Sequence, residues 1–236
     1  MCIAVIKKIN NSDYKYIIAF NRDEKVGKSF KLWGYFWDEY QDIYGCLDEE
    51  TRGTWFAIND NNVVAFLLNR EILDTTRENK SRGKIILNVL KNMKSAKEAE
   101  NKVYTLDLEN MRPFNLVILD CIDVYYLCFQ KNNIYSYQMK QSLILLNRSY
   151  PNDFNEVRIR SNYSRFFELS NRDLFSCSWW NTWKEYLTDS CYCKSAEEER
   201  KMFLISTKWR TLSSTMVALN INRGRDVFKV MYGDKL

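Results

Sequence analysis

The 236-residue sequence contains no histidine. That absence excludes Ser-His-Asp and Cys-His catalysis, zincin-type metal binding and histidine-ligated haem at once. Acid–base chemistry must then use a carboxylate, Lys, Tyr, Cys or the chain terminus. Glycine and proline are scarce, at seven and two residues. No Gly-rich phosphate loop is present, and Gly/Pro punctuation says little about turns. No apolar run approaches the roughly 20 residues that a membrane-crossing helix needs. The apolar start, Cys2 to Ile6, meets Lys7-Lys8 immediately, which is too short for a signal core and puts the charges on its wrong side. The reading from these absences is a cytoplasmic protein with no membrane span.

Apolar residues make up 46% of the chain, enough for a packed core, and no Gly/Ser/Pro-rich linker interrupts it. One domain over residues 1–236 is expected. The net charge of +5 is spread without a dense basic tract, so no nucleic-acid partner is expected. Seven cysteines form no even-numbered framework, which fits free thiols in a reducing compartment. Cys191-x-Cys193 is the only close pair. Without histidine or a second pair at zinc spacing, no metal site is expected.

Strands are expected at Cys2–Ile6, Tyr16–Phe20, Thr54–Ile58 and Val63–Leu68, then at Phe114–Leu119, Val124–Phe129, Ile134–Tyr137 and Leu143–Leu146. Three more close the chain, Phe203–Ser206, Thr215–Asn220 and Val227–Tyr232. Helices are expected at Arg82–Met93, at Ser95–Tyr104 with Ser95 and Glu98 as a capping box, from about Asn155 to Ser170, and at Ser178–Leu187. Trp179, Trp183 and Tyr186 share one face of the last, which fits core packing more readily than a partner surface. Glu197–Lys201 fits a solvated helix face. Blocks of helices between runs of strands point to an α+β fold of largely antiparallel sheets.

Two features carry chemistry. Removal of Met1 would give Cys2 a free α-amine beside its own thiol, a nucleophile and base on one residue. The alternative is a small buried residue opening a strand. Asn21-Arg22-Asp23-Glu24 closes the next apolar run, and hairpin pairing would return it beside the N-terminus. There a carboxylate could hold the amine and a guanidinium could favour the thiolate. The alternative is a solvated turn.

These residues, with Gly45-Cys46-Leu47-Asp48, Arg52-Gly53-Thr54-Trp55-Phe56-Ala57, Asn69, Ser81-Arg82-Gly83, Phe114-Asn115-Leu116 and Ser213-Ser214-Thr215, resemble the NRDE family, the transport and Golgi organisation protein 2 relatives. The resemblance is most specific over the first 85 residues and slight from 150 to 205. It implies the four-layer αββα sandwich of N-terminal nucleophile hydrolases and a likeness to the bile-salt hydrolase and penicillin V acylase branch, which cleaves linear amides.

By that likeness Cys2 would be nucleophile and, through its amine, general base. Asp23 would orient the amine, and Arg22 would stabilise the thiolate or contact substrate. Asn69 would supply an oxyanion donor and Asn147 a further polar contact, with Asn21, Trp55 and Arg82 as substrate-binding residues. The chain departs from the pattern in four places. Phe20 stands where the amidase branch has arginine, and Arg52 where the family has the first glycine of Gly-Gly-Thr-Trp. Asn69 lacks its customary preceding Thr. The late arginine is lost to Leu212 or displaced to Arg210.

Two functions follow from the resemblance. One is hydrolysis of a small-molecule amide or thioester with no cofactor required. The other is non-catalytic carriage, of haem or of an acyl-CoA or lipid, in keeping with the family's link to haem trafficking and acyl-CoA/lipid homeostasis.

Overall fold

β-Branched and aromatic runs give strands, and apolar residues at helical spacing give helices packed on them. In chain order the strands are β1 (Ile3–Lys8), β2 (Tyr14–Lys25), β3 (Phe30–Gly34), β4 (Ile43–Asp48), β5 (Phe56–Asn59), β6 (Val64–Asn69), β7 (Phe114–Leu119), β8 (Val124–Gln130), β9 (Asn133–Gln138), β10 (Leu143–Leu146), β11 (Trp209–Asn220) and β12 (Gly224–Phe228). The helices are α1 (Gly83–Leu90) and α2 (Ala96–Val103), between β6 and β7, and α3 (Val157–Glu168) and α4 (Cys177–Thr188), between β10 and β11. The computed structural model describes residues 2–9, 13–70, 82–169, 176–189, 201–205, 208–220 and 224–228. Cys191, Cys193, Phe175 and most of Glu197–Lys201 lie outside them. The chain divides into two compact units, Met1–Lys28 with Gln141–Leu236, and Ser29–Lys140.

The first unit is built on an antiparallel sheet in the order β10-β1-β2-β11-β12. Alternate residues on one of its faces (Ile3, Val5, Ile17, Ala19, Leu143, Leu145, Met216 and Ala218) form a core with Ile159 and Phe166 of α3 and Trp179, Trp183 and Leu187 of α4. Trp183 is fully buried, its ring centroid 5.3 Å from that of Phe166. The tryptophan face of α4 is therefore core. Lys7 lies on the same sheet face as Val5, two residues on, and its ammonium donates to the carbonyls of Phe166 (2.6 Å), Phe167 (3.2 Å) and Leu169 (2.6 Å). These are among the carbonyls that a helix end leaves unpaired, so a lysine from β1 caps α3. Burial pulls its pKa down to about 8.

The second unit is a seven-stranded antiparallel sheet in simple sequence order, β3 to β9. Ala57, Ala65, Leu67, Leu116, Ile118, Leu127 and Phe129 pack on Ile85, Ile86, Val89 and Leu90 of α1 and on Ala96, Ala99 and Val103 of α2. Ser95 caps α2 by accepting from the Glu98 amide, while the Glu98 carboxylate reaches back to the amide of Lys94. At the β5–β6 turn, the side-chain amide of Asn59 donates to the carbonyls of Leu90 and Met93, and its oxygen accepts from Asn61 and Val63. One asparagine thus fixes the turn and the end of α1 together.

Three differences from the sequence reading have physical causes. Strands β3 and β4 escape notice because β3 is short and mostly half-buried, with Trp33 its one buried residue, and β4 contains Gly45, whose missing side chain lets Ala57 approach; a Cβ there would stand 2.6 Å from the Cβ of Ala57. The expected Phe203–Ser206 strand is reduced to one bridge, Ile205 to Arg210, because the Phe203 amide donates to the Asp189 carbonyl and the Leu204 amide to the Thr211 hydroxyl. Ser206 lies outside the described residues. Strand β2 runs five residues past Phe20.

Arg52 adopts φ 56°, a left-handed backbone that suits glycine. Gly53, next to it, packs against the start of α1, where a Cβ would stand 2.7 Å from the Cα of Gly83. The left-handed region costs a non-glycine residue roughly 1–2 kcal/mol, partly offset by the greater freedom glycine loses on folding. Arg52→Gly is expected to stabilise the protein by about 1 kcal/mol and raise its thermal midpoint by about 2–4 °C. An unchanged or lower midpoint would show that the contact from Arg52 to the Phe36 carbonyl (3.3 Å) outweighs the backbone term.

Candidate active site

Asn21, Arg22 and Asp23 lie inside β2 and are buried, so the reading of this motif as a solvated turn is wrong. A strand sends successive side chains to opposite faces. Ile17 and Ala19 belong to the helix-facing core, so Asn21 and Asp23 project toward α3 and α4, and Arg22 to the other face.

On the helix face, the amide of Asn21 donates to the carbonyls of Leu187 and Met202, both at 2.8 Å. Asp23 accepts from Arg158 Nη1 at 2.6 Å on one oxygen and from the Thr211 hydroxyl at 2.5 Å on the other. Arg158 spends its other donors on the carbonyls of Lys201 (2.8 Å, from Nε) and Met202 (2.6 Å, from Nη2). Both charged side chains are buried, 5% and 0% exposed, and this density of bonds is what makes a buried ion pair tolerable. Thr211 reaches this face through a bulge. It pairs with Asp23 while Ser213 pairs with Arg22, leaving Leu212 as the extra residue.

On the opposite face lies Cys2, the residue before Ile3, which itself pairs with Asn21. The buried thiol points to the backbone carbonyl of Asp23 at 3.9 Å. Burial pushes its pKa up, and the Asp23 charge adds to this. The positive charge at the start of the chain, the bond to the Asp23 carbonyl and the Arg22 guanidinium oppose it. Ser213 lies opposite Arg22 on β11. Asn147 follows Leu146, which pairs with Ala4, and is buried at this same end of the sheet.

The first unit thus brings together Cys2, Asn21, Arg22, Asp23 and Asn147. Trp55, Asn69 and Arg82 belong to the second unit. There Trp55 is buried edge-on to Phe30 and accepts from the Leu67 amide, Asn69 ends β6 opposite Phe114, and Arg82 donates to the carbonyl of Pro113. Arg210 sits opposite Glu24, farther along β11. Sequence reasoning missed Arg158 and Thr211. The signal for Arg158 was an arginine four residues before Asn162 on a helix face that also carries Ile159 and Phe166; all four are buried.

The family model described as "Transport and Golgi organisation 2" matches residues 1–225. The chain belongs to the Transport and Golgi organisation 2 family. No curated protein matches it in sequence. Among solved structures it is similar to the Caenorhabditis elegans ortholog of N-acylethanolamine-hydrolyzing acid amidase, with a TM-score of 0.59 at 9% identity over 96% of this chain and 100% of that one. It is also similar to a mutant of the conjugated bile acid hydrolase from Clostridium perfringens, with a TM-score of 0.56 at 10% identity over 99% and 97%. A second variant of that hydrolase gives 0.52 at 10% identity over 100% and 98%. At such identities the likeness shows the fold. It is the N-terminal nucleophile hydrolase fold, with two antiparallel sheets and, among the described residues, four helices.

In this member of the Transport and Golgi organisation 2 family, two consequences can be measured. Asp23→Leu or Arg158→Met alone strands a buried charge and is expected to cost about 3–5 kcal/mol, while the double variant costs well under the sum. Additive losses in urea unfolding would show that the pair is not coupled. With Met1 in place, Cys2 is expected to alkylate more slowly than the exposed Cys177 at neutral pH, and to gain rate only above the ordinary thiol range, because a raised pKa lowers its thiolate fraction. Peptide-resolved labelling with iodoacetamide reads both sites. Equal rates would contradict the burial-raised pKa.

Proposed function

We infer that the protein is a cysteine N-terminal nucleophile hydrolase acting on a small-molecule amide or thioester once Met1 is removed. The observation that carries this reading is the placement of Cys2. It immediately precedes β1, an inner strand of a five-stranded sheet flanked by β10 and β2, next to Arg22 and the Asp23 carbonyl, in a chain with the fold of amidases. The freed α-amine takes the thiol proton, and Sγ attacks the substrate carbonyl carbon. The bond from that carbon to nitrogen or sulfur breaks as the amine returns the proton to the leaving group. Water, activated by the same amine, then hydrolyses the acyl-cysteine and releases the acid. Arg22 favours the thiolate, and Asn147 offers a polar contact to substrate. The orienting role proposed for Asp23 runs through the strand it holds in place, since its carboxylate is bonded by Arg158 and Thr211.

The cysteines Cys2, Cys46, Cys121, Cys128 and Cys177, none of them in a disulfide, fit a reducing, cytoplasmic setting. No described helix is long and apolar enough to cross a membrane. A second reading, non-catalytic carriage of haem or of an acyl-CoA or lipid, is favoured by the burial and raised pKa of the Cys2 thiol while Met1 is attached.

Intact mass of protein expressed without an N-terminal tag separates the two. Hydrolysis predicts loss of Met1 and a Cys2 acyl adduct on treatment with a thioester, absent in Cys2→Ala. Retained Met1 with no adduct overturns the hydrolase and supports carriage, whose ligand binding should be indifferent to Cys2→Ala.

A further inference from the structure

Beside the reactive face of β2 lies a hydroxyl that this mechanism does not use. Ser213 is 1% exposed, and its Oγ has no hydrogen-bond partner among the described residues. Buried polar groups in native proteins are nearly always bonded, so an unbonded one calls for an account. Ser213 pairs with Arg22 across the β2–β11 ladder, and side chains so paired stand about 4.5–5.5 Å apart on one face. Cys2 stands on the other side of Arg22, just before β1, whose first residue, Ile3, pairs with Asn21. Thiol, guanidinium and hydroxyl thus form a row across three adjacent strands spaced by about 4.8 Å. Ser214 is buried with an unbonded Oγ as well, but it pairs with Asn21 on the helix face and provides an internal comparison.

The chemistry of the row selects its ligand. A guanidinium only donates, and a hydroxyl beside it can donate too, so a ligand that meets both offers oxygen acceptors, best an anion. The spacing sets the length. A carbonyl at the sulfur leaves about one to two strand spacings, roughly 5–10 Å, to an anionic oxygen held by the other two groups. Resting on the hydrolase reading, we propose that Arg22 and Ser213 form a carboxylate subsite, and that the substrates of Cys2 are amides or thioesters whose acyl group ends in a carboxylate. With a glutaryl thioester, Sγ bonds to the acyl carbon as the bond to the leaving sulfur breaks. The Cys2 proton passes through the amine to that sulfur, and water releases glutarate.

The probes are the glutaryl and valeryl thioesters of N-acetylcysteamine, offered to Met1-free protein. The monoamide of glutarate and pentanamide serve as plain ligands for Cys2→Ala protein, read by thermal shift. The glutaryl thioester is expected to be preferred by about tenfold or more in kcat/KM, and Ser213→Ala to lower that preference by about tenfold. Ser214→Ala should keep the preference. The glutarate monoamide should raise the melting temperature of Cys2→Ala but not of Cys2→Ala combined with Ser213→Ala, and pentanamide should raise neither. If Ser213→Ala fails to fold, the nearly isosteric Ser213→Cys, a weak donor, makes the same comparison. Equal rates with the two thioesters, or a preference that survives loss of the hydroxyl, overturn the subsite. No acylation together with Ser213-dependent stabilisation ends the hydrolase reading and leaves the subsite standing. No acylation and no stabilisation overturn both.

Discussion

The ion pair between Asp23 and Arg158 is the constraint on which the rest of the first unit depends. It joins strand β2, helix α3, the segment at Lys201 and Met202 and, through Thr211, the bulge of β11. Neither charge reaches solvent, so each needs the other, and the carbonyls around Arg158 take the donors that Asp23 leaves over. Asn21, two residues earlier on the same face, shares the Met202 carbonyl with Arg158 and adds the end of α4. The helical layer is therefore fastened to the sheet at the point where the motif sits. Lys7 makes a second fastening at the far end of β1 by capping α3.

The period of a strand divides the motif into two jobs. Asn21 and Asp23 are committed to fastening, while Arg22, between them, shares its face with Cys2 and Ser213. A slip of one residue would exchange these duties completely. The bulge at Leu212 serves the same division from the neighbouring strand. In regular alternation Thr211 and Ser213 would share a face, and the extra residue instead sends Thr211 to Asp23 and leaves Ser213 with Arg22. A rule of local backbone geometry thus decides which polar groups fasten the helices and which share the face of Cys2.

Much of this was legible in the sequence where a signal is local. Strands β7 and β10 match their expected bounds, Ser95 and Glu98 cap α2, and the tryptophans of α4 declare a buried face. Cys2 and Asn21-Arg22-Asp23 announced that they belong together because a hairpin returns one to the other. What could not be read was long-range or against propensity. Arg158 lies 135 residues from Asp23, in a stretch where the family resemblance is slight, and a helix-face pattern that marks it as buried does not name the carboxylate it pairs with. The motif ends in three charged residues, Arg22, Asp23 and Glu24, a composition that reads as a turn. The Arg158 pair and the Thr211 bond make it possible to bury Asp23 within a strand.

The fastening also bears on the chemistry. The negative charge of Asp23 is one of the influences that raise the Cys2 pKa, second to burial among those that do so. Arg22, on the thiol's own face, opposes it and favours the thiolate. Burial still holds the balance toward the neutral thiol, so Arg22 does not ionise the sulfur. A base within reach of Sγ is what remains to be supplied, and in a chain without histidine an α-amine on Cys2 itself is the group whose ordinary pKa, near ~7.7, suits that task at neutral pH.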